Sequence, residues 1–154
     1  MKEKIKQIDK ERIKKAIDET FNVDPKNVKE LWQKGFLLTK RKKYDEAKKC
    51  LDEALKINPR DQNALKQMGN LLRILGKYED ALEYYNEVLE MNPKEKLSLW
   101  MKIYCLEELI KPCLNKNNPG EKCLSLVKQI KECRESLKKY LIEENPNLKS
   151  YLEK

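Results

Sequence analysis

Two stretches of this chain say the same thing in succession. Residues 28–61 and 62–95 align without a gap and agree at 12 of 34 positions. The shared pairs include Leu31/Leu65, Gly35/Gly69, Leu38/Leu72, Tyr44/Tyr78, Ala47/Ala81, Leu55/Leu89 and Pro59/Pro93. A fixed period of this length means stacked units, none of which can bury its apolar face alone. It restricts the chain to repeat architectures before any other property is considered.

Each unit reads as two helices. Leu31, Gly35 and Leu38 fall on one stripe at i, i+4, i+7, and Leu65, Gly69 and Leu72 repeat it. A break follows at Arg41-Lys42-Lys43 and again at Leu75-Gly76-Lys77. The second helix carries Tyr44, Ala47, Leu51, Ala54 and Leu55, or Tyr78, Ala81, Tyr85, Val88 and Leu89. Asn58-Pro59 and Asn92-Pro93 end it, because a residue before proline is driven out of the α region. Gly35 with Ala47, and Gly69 with Ala81, mark close helix crossings, where a larger side chain would overpack the contact.

These residues resemble the tetratricopeptide repeat, whose pattern is W-x2-L-G-x2-Y, then A-x3-F, then P, over 34 residues. The first unit offers Leu31, Lys34, Gly35, Leu38, Ala47, Leu51 and Pro59 at those places. The second offers Leu65, Met68, Gly69, Leu72, Ala81, Tyr85 and Pro93. Leucine replaces the leading aromatic in both units, and Lys34 departs from the pattern. The resemblance implies an all-α, right-handed α-solenoid of helix-turn-helix repeats with an atypical C-terminal helical cap. It implies a single domain over 1–154. Residues 1–24 are an N-terminal helix and half repeat, 28–61 and 62–95 are full repeats, and 96–154 are a degenerate third repeat and cap.

Residues 1–22 are a basic amphipathic helix with Ile5, Ile8, Ile13, Ala16, Ile17 and Phe21 on one face. Pro25 precedes Pro59 by one period, so this helix is expected to pack on the helix that follows rather than on a membrane. No apolar run suggests a signal peptide or a span, so a cytoplasmic location is expected. In the third unit Ile103 replaces the glycine. A helix over 96–111 is expected to end at Pro112, and the loop to Gly120 is longer than a repeat turn. A partner helix is not expected to press on Ile103, so Ile103→Leu should cost little. One long helix from about 120 to 143 should follow, ended by Asn145-Pro146, with a short helix to Tyr151-Leu152.

Chemistry is sparse. The chain has no histidine, which removes the commonest general base and metal ligand, and its four glycines are scattered singly. No catalytic activity, cofactor or metal is expected. Cys105, Cys113, Cys123 and Cys133 lie eight, ten and ten residues apart, not as the close pairs of structural zinc sites. Free thiols are expected at these and at Cys50, with a disulfide tying the 112–119 loop to its flanking helices as the alternative. Net charge is +8, of which +6 falls in residues 1–61. Lys40-Arg41-Lys42-Lys43 with Lys48-Lys49 is the densest basic patch, diluted by Asp45, Glu46, Asp52 and Glu53.

The resemblance implies that the first helix of each pair lines a concave, partner-binding surface. On that face stand Trp32 and Phe36, then Lys66 and Asn70, then Trp100 and Tyr104, with Lys29, Gln33, Gln67, Arg73, Leu97 and Met101 beside them. Aromatics beside Arg and polar groups are what interface hot spots are made of. The carboxylate clamp of chaperone-binding members is absent. Its first Lys and Asn positions are Trp32 and Phe36, and its later ones are Gln67, Leu97 and Met101. The expected function is a non-catalytic adaptor or scaffold holding a protein or peptide partner in the groove. An RNA-binding helical repeat is the alternative, and self-association is open.

Overall fold

The computed structural model describes residues 28–114 and 120–152, so the proposed N-terminal helix lies outside the described residues. Seven helices and one short 3-10 turn follow in order. They are α1 Val28–Lys40, α2 Tyr44–Ile57, α3 Gln62–Ile74, α4 Tyr78–Met91, α5 Lys96–Leu114, α6 Glu121–Glu144, the turn Pro146–Leu148, and α7 Lys149–Leu152. Among the described residues there is no strand, and the architecture is an all-α helical repeat.

Local hydrogen bonding explains the repeat boundaries. Between α1 and α2, Lys43 N–H donates to Leu38 O at 2.9 Å and Lys42 N–H to Thr39 O at 3.0 Å. Between α3 and α4, Lys77 N–H donates to Leu72 O at 2.9 Å and Gly76 N–H to Arg73 O at 3.0 Å. This double bond pattern closes a helix on one left-handed residue. That residue is Lys42, with φ 61°, in one turn and Gly76, with φ 73°, in the other. The Asn-Pro pairs are also alike. Asn58, Asn92 and Asn145 each donate their N–H to the carbonyl four residues back, at 3.0, 2.8 and 3.0 Å. Each side chain then accepts from the N–H two residues on, at 3.1, 3.3 and 3.3 Å. The helix that follows is capped by a carboxylate. Asp61 accepts from Ala64 N–H at 2.8 Å, and Glu95 from Ser98 N–H at 2.6 Å.

The described residues form two compact units, divided between Gln67 and Met68 inside α3. In the first, α1 packs on α2 at Gly35. A Cβ there would sit 2.7 Å from Leu51 Cγ and 3.4 Å from the Ala47 carbonyl oxygen. The glycine therefore makes room chiefly for Leu51, which is fully buried with Ala47 and Ala54. Leu31, Ala54 and Ala64 form a small core against which Val28, Trp32 and Leu55 lean.

In the second unit Gly69 plays the same part toward α4. A Cβ there would lie 2.9 Å from Tyr85 Cε1 and 3.0 Å from Cζ. The Tyr85 ring fills that space and is 1% exposed. The larger core of this unit is built from α5 and α6. Leu99, Ile103, Leu106 and Ile110 meet Leu126, Cys133 and Leu137, with Leu82 and Leu89 of α4 packed alongside. Ion pairs Lys94–Glu143 at 2.8 Å and Lys96–Glu144 join the entry to α5 with the end of α6. The Lys94 ammonium also lies 5.5 Å from the Tyr140 ring centroid.

Three expectations are corrected here. Helix α5 does not stop before Pro112; it carries the proline in its last turn and runs to Leu114. Proline there removes one intrahelical hydrogen bond and crowds the carbonyl four residues back, a cost that the packing of α5 offsets. Ile103 is not left without a partner. It is 3% exposed in the α5–α6 core, its side chain filling space that the glycine leaves to Leu51 or Tyr85 elsewhere. Finally, the thiols are not all free. Cys113 and Cys123 form a disulfide with their Cα atoms 6.2 Å apart, while Cys50, Cys105 and Cys133 are unbonded. The extra turn of α5 beyond Lys111 carries Cys113 to the first turn of α6.

Candidate functional site

The expected surface residues divide between the two units. In the first, Lys29 is exposed, and Trp32, Gln33, Phe36, Lys66 and Gln67 are half-buried. Trp32 spends part of its surface on the Leu31, Ala54 and Ala64 core. Phe36 carries the Lys40 ammonium 5.4 Å from its ring centroid. Trp32 is thus a packing residue as well as a surface one.

The second unit gathers its members more tightly. Arg73 Nη2 donates to Asn70 Oδ1 at 2.8 Å, which steers the guanidinium. Its Cζ then lies 5.1 Å from the Tyr104 ring centroid. A guanidinium over a ring face is attracted by the ring quadrupole. Tyr78 meets the same ring edge-on, with centroids 6.3 Å apart at 64°. Asn70, Arg73 and Tyr104 therefore form one connected group. Leu97 and Trp100 are each 54% exposed, Tyr104 is 40% exposed, and Met101 is half-buried.

Two polar atoms near this group are buried. Arg73 Nε and the Tyr85 hydroxyl are buried without a hydrogen-bond partner among the described residues. Burial pushes the Tyr85 hydroxyl well above its ordinary range, and the nearby Cys105 adds to this. The Arg73 guanidinium opposes the shift without reaching good hydrogen-bond geometry. Burial likewise pushes the Cys105 thiol up to about 11, against the pull of Arg73. A thiol so disfavoured as thiolate is a packing group and not a nucleophile.

Trp100 and Tyr104 also border a cleft of about 440 Å³ inside the second unit. Helix α5 adds Ile103 and Glu107 to its wall. Helix α6 supplies Arg134, Leu137, Lys138 and Leu141, and α7 supplies Leu152. Arg134 Nη2 pairs with Glu107 Oε1 across the two helices. Of the expected surface residues only Trp100 and Tyr104 line this cleft; Leu97 and Met101 do not. The α6 and α7 contribution was missed because Arg134 and Lys138 look like ordinary solvated charges. The available signal was Ile103, since a changed crossing residue implies a differently docked partner helix.

Among the described residues no group of three or more Cys, Asp or Glu side chains could hold a metal ion. No described helix is long and apolar enough to cross a membrane. In the basic patch, Lys43 pairs with Glu46 at 2.9 Å and Lys48 with Asp52 at 2.7 Å.

The family model for the tetratricopeptide repeat matches residues 30–94. No curated protein matches the chain. Among solved structures, MamA of AMB-1 superposes with a TM-score of 0.61 at 20% identity, over 82% of this chain and 68% of that one. YrrB, described as a TPR protein with an unusual peptide-binding site, gives 0.56 at 17% identity, over 84% of this chain and 66% of that one. PilF of Pseudomonas aeruginosa gives 0.56 at 18% identity, over 92% of this chain and 71% of that one. At these identities the likeness is one of fold.

Proposed function

We propose, from the premise that residues 30–94 are tetratricopeptide repeats, that this protein is a non-catalytic adaptor that binds a segment of another protein. The supporting observation is the exposed aromatic pair on α5. Trp100 and Tyr104 stand 54% and 40% exposed on a helix whose adjoining face, Leu99, Ile103 and Leu106, is spent on the core. Large aromatics beside a fixed arginine have the composition of an interface hot spot. In the first unit, Lys29, Trp32, Gln33, Phe36, Lys66 and Gln67 are read as partner-binding residues in their own right. In the second, Asn70, Arg73, Leu97 and Met101 accompany the aromatic pair.

The test begins with affinity capture from the native host, followed by calorimetry with the captured partner. Trp100→Ala should weaken binding by more than about 2 kcal/mol while leaving the melting temperature nearly unchanged. Asn70→Ala should cost about 1 kcal/mol by releasing Arg73. Trp32→Ala should cost stability as well as affinity, since it leans on the first unit's core. Binding that is indifferent to all three changes and collapses with added salt would point to phosphate contacts and refute the adaptor reading. A cytoplasmic location fits an adaptor, but a reducing cytosol is expected to open Cys113–Cys123 unless the source is a hyperthermophile.

A further inference from the structure

The cleft of the second unit has features that the repeat pattern does not supply. We propose that it docks a helical segment of a partner protein that presents an aliphatic side chain with an acidic residue one turn away. This rests on the adaptor reading and specifies the partner's chemistry.

Three observations lead there. The floor is aliphatic and firm: Ile103 and Leu137 are 3% and 4% exposed, and Trp100 and Tyr104 rise from it only partly covered. A cleft of about 440 Å³ is at the small end of ligand sites. It lacks the buried, convergent polar groups that orient a small molecule: of its polar members Trp100, Tyr104 and Arg134 are exposed and Glu107 and Lys138 half-buried. Such a cavity suits one or two anchoring side chains laid in from a helix.

The second observation is Leu152. It forms part of the cleft wall from α7, a four-residue helix, and is still 38% exposed. The cleft therefore offers an aliphatic surface on its α7 side as well, open to contact by an aliphatic side chain.

The third is charge. Glu107 is held by Arg134, and Glu143 and Glu144 on the last turn of α6 are held by Lys94 and Lys96. Lys138 lines the cleft and has no ion-pair partner among the described residues. The uncompensated charge at the cleft is therefore positive, and a carboxylate on the incoming helix would meet it.

Phage-displayed random dodecapeptides, selected against the full chain, test this directly. Selected peptides should pair Leu, Ile, Met or Phe with Asp or Glu three or four residues away. Synthesised as free peptides, they should lose affinity about tenfold for Lys138→Glu, a repulsion rather than a mere loss of attraction. A peptide with its acidic residue changed to Lys should regain affinity for that variant, which a folding defect cannot mimic. Peptides without acidic preference, or indifferent to Lys138→Glu, would overturn the proposal. If they depend instead on Trp32 or Asn70, the adaptor reading stands and the cleft assignment falls. A failure to select any peptide would count against both. A dimer in solution that Trp100→Ala dissolves would give the cleft to a second copy and overturn the proposal as well.

Discussion

Lys42 holds a backbone conformation that the next repeat assigns to Gly76, with φ of 61° and 73°. A side chain there meets the following carbonyl, at a cost of roughly 1–2 kcal/mol. Lys42→Gly should therefore stabilise the protein by about 1 kcal/mol, less the added freedom of glycine in the unfolded chain. Urea denaturation would show it as a raised midpoint at constant slope. The opposite change at Gly69 should be harmful. Ala gains about 1 kcal/mol of helix propensity, but its Cβ would press on a buried tyrosine ring at 2.9 Å. Overpacking of this kind costs about 1–3 kcal/mol, so Gly69→Ala should be destabilising on balance. A stabilised Gly69→Ala would mean that the ring yields freely. Thiols are also a residue-scale test. Titration of the unfolded, unreduced chain should find Cys50, Cys105 and Cys133 and no more. In the folded protein Cys105 should react last, because it is buried and its thiolate is disfavoured.

At the scale of elements, the α5–α6 pair shows how one architecture accepts two kinds of crossing. The first two pairs place glycine on one helix and a large side chain, Leu51 or Tyr85, on the other. In the third, Ile103 occupies the matching position and takes its place in the core with Leu126, Cys133 and Leu137. Ile103→Ala should then cost about 2–5 kcal/mol, as for other buried aliphatic truncations. A cost below about 1 kcal/mol would restore the view that nothing presses on it. The long connection between these helices is closed by Cys113–Cys123, ten residues apart. Chain-entropy arguments assign a loop of that size about 2–3 kcal/mol. Reduction with a dithiol should lower the melting temperature accordingly and leave helical content largely intact.

For the molecule as a whole, ionisation sets a window of stability. Cys105 and Tyr85 hold their protons more tightly when folded than when unfolded, through burial. Their contribution is complete below the unfolded values of 9.0 and 10.0 and is lost as pH rises past them. Glu143 is shifted the other way, held below its ordinary 4.5 chiefly by its hydrogen bond to Lys94. Its contribution is present above that value and is lost as pH falls through the folded one. Denaturant midpoints should therefore be flat through neutrality, fall above about pH 9 and fall again in acid. Lys94→Met should blunt the acid limb and also soften the alkaline one, because the hydrogen bond to Glu143 holds the Lys94 ammonium above its ordinary 10.5. An alkaline limb unchanged by Cys105→Ala would assign it to Tyr85, to Lys94 or to the other thiols.

The repeat period, the helix pairs, the turn at Lys42 and Gly76, the Asn-Pro stops and the small crossing residues were all legible in the chain. Each rests on hydrogen bonds or side-chain spacing within a few residues, and the second copy confirms the first. The helix reaching from 120 to 144 was legible for the same reason, from its apolar stripe. The surface aromatics were visible as residue types, but their individual surroundings were not. That Trp32 leans on a core while Trp100 stands half exposed depends on which distant side chains arrive beside them. The same holds for Ile103, where apolar identity says only that something must cover it. Packing decided that α6 does so, and the same docking created the cleft from Trp100, Leu137 and Lys138. The disulfide followed from one further turn of α5 through Pro112, a local exception that no residue spacing announces. Period and turn chemistry are properties of neighbours along the chain, and they were determined there. Which face meets which, and what is left open to a partner, is settled only when elements separated by tens of residues compete for the same apolar surface.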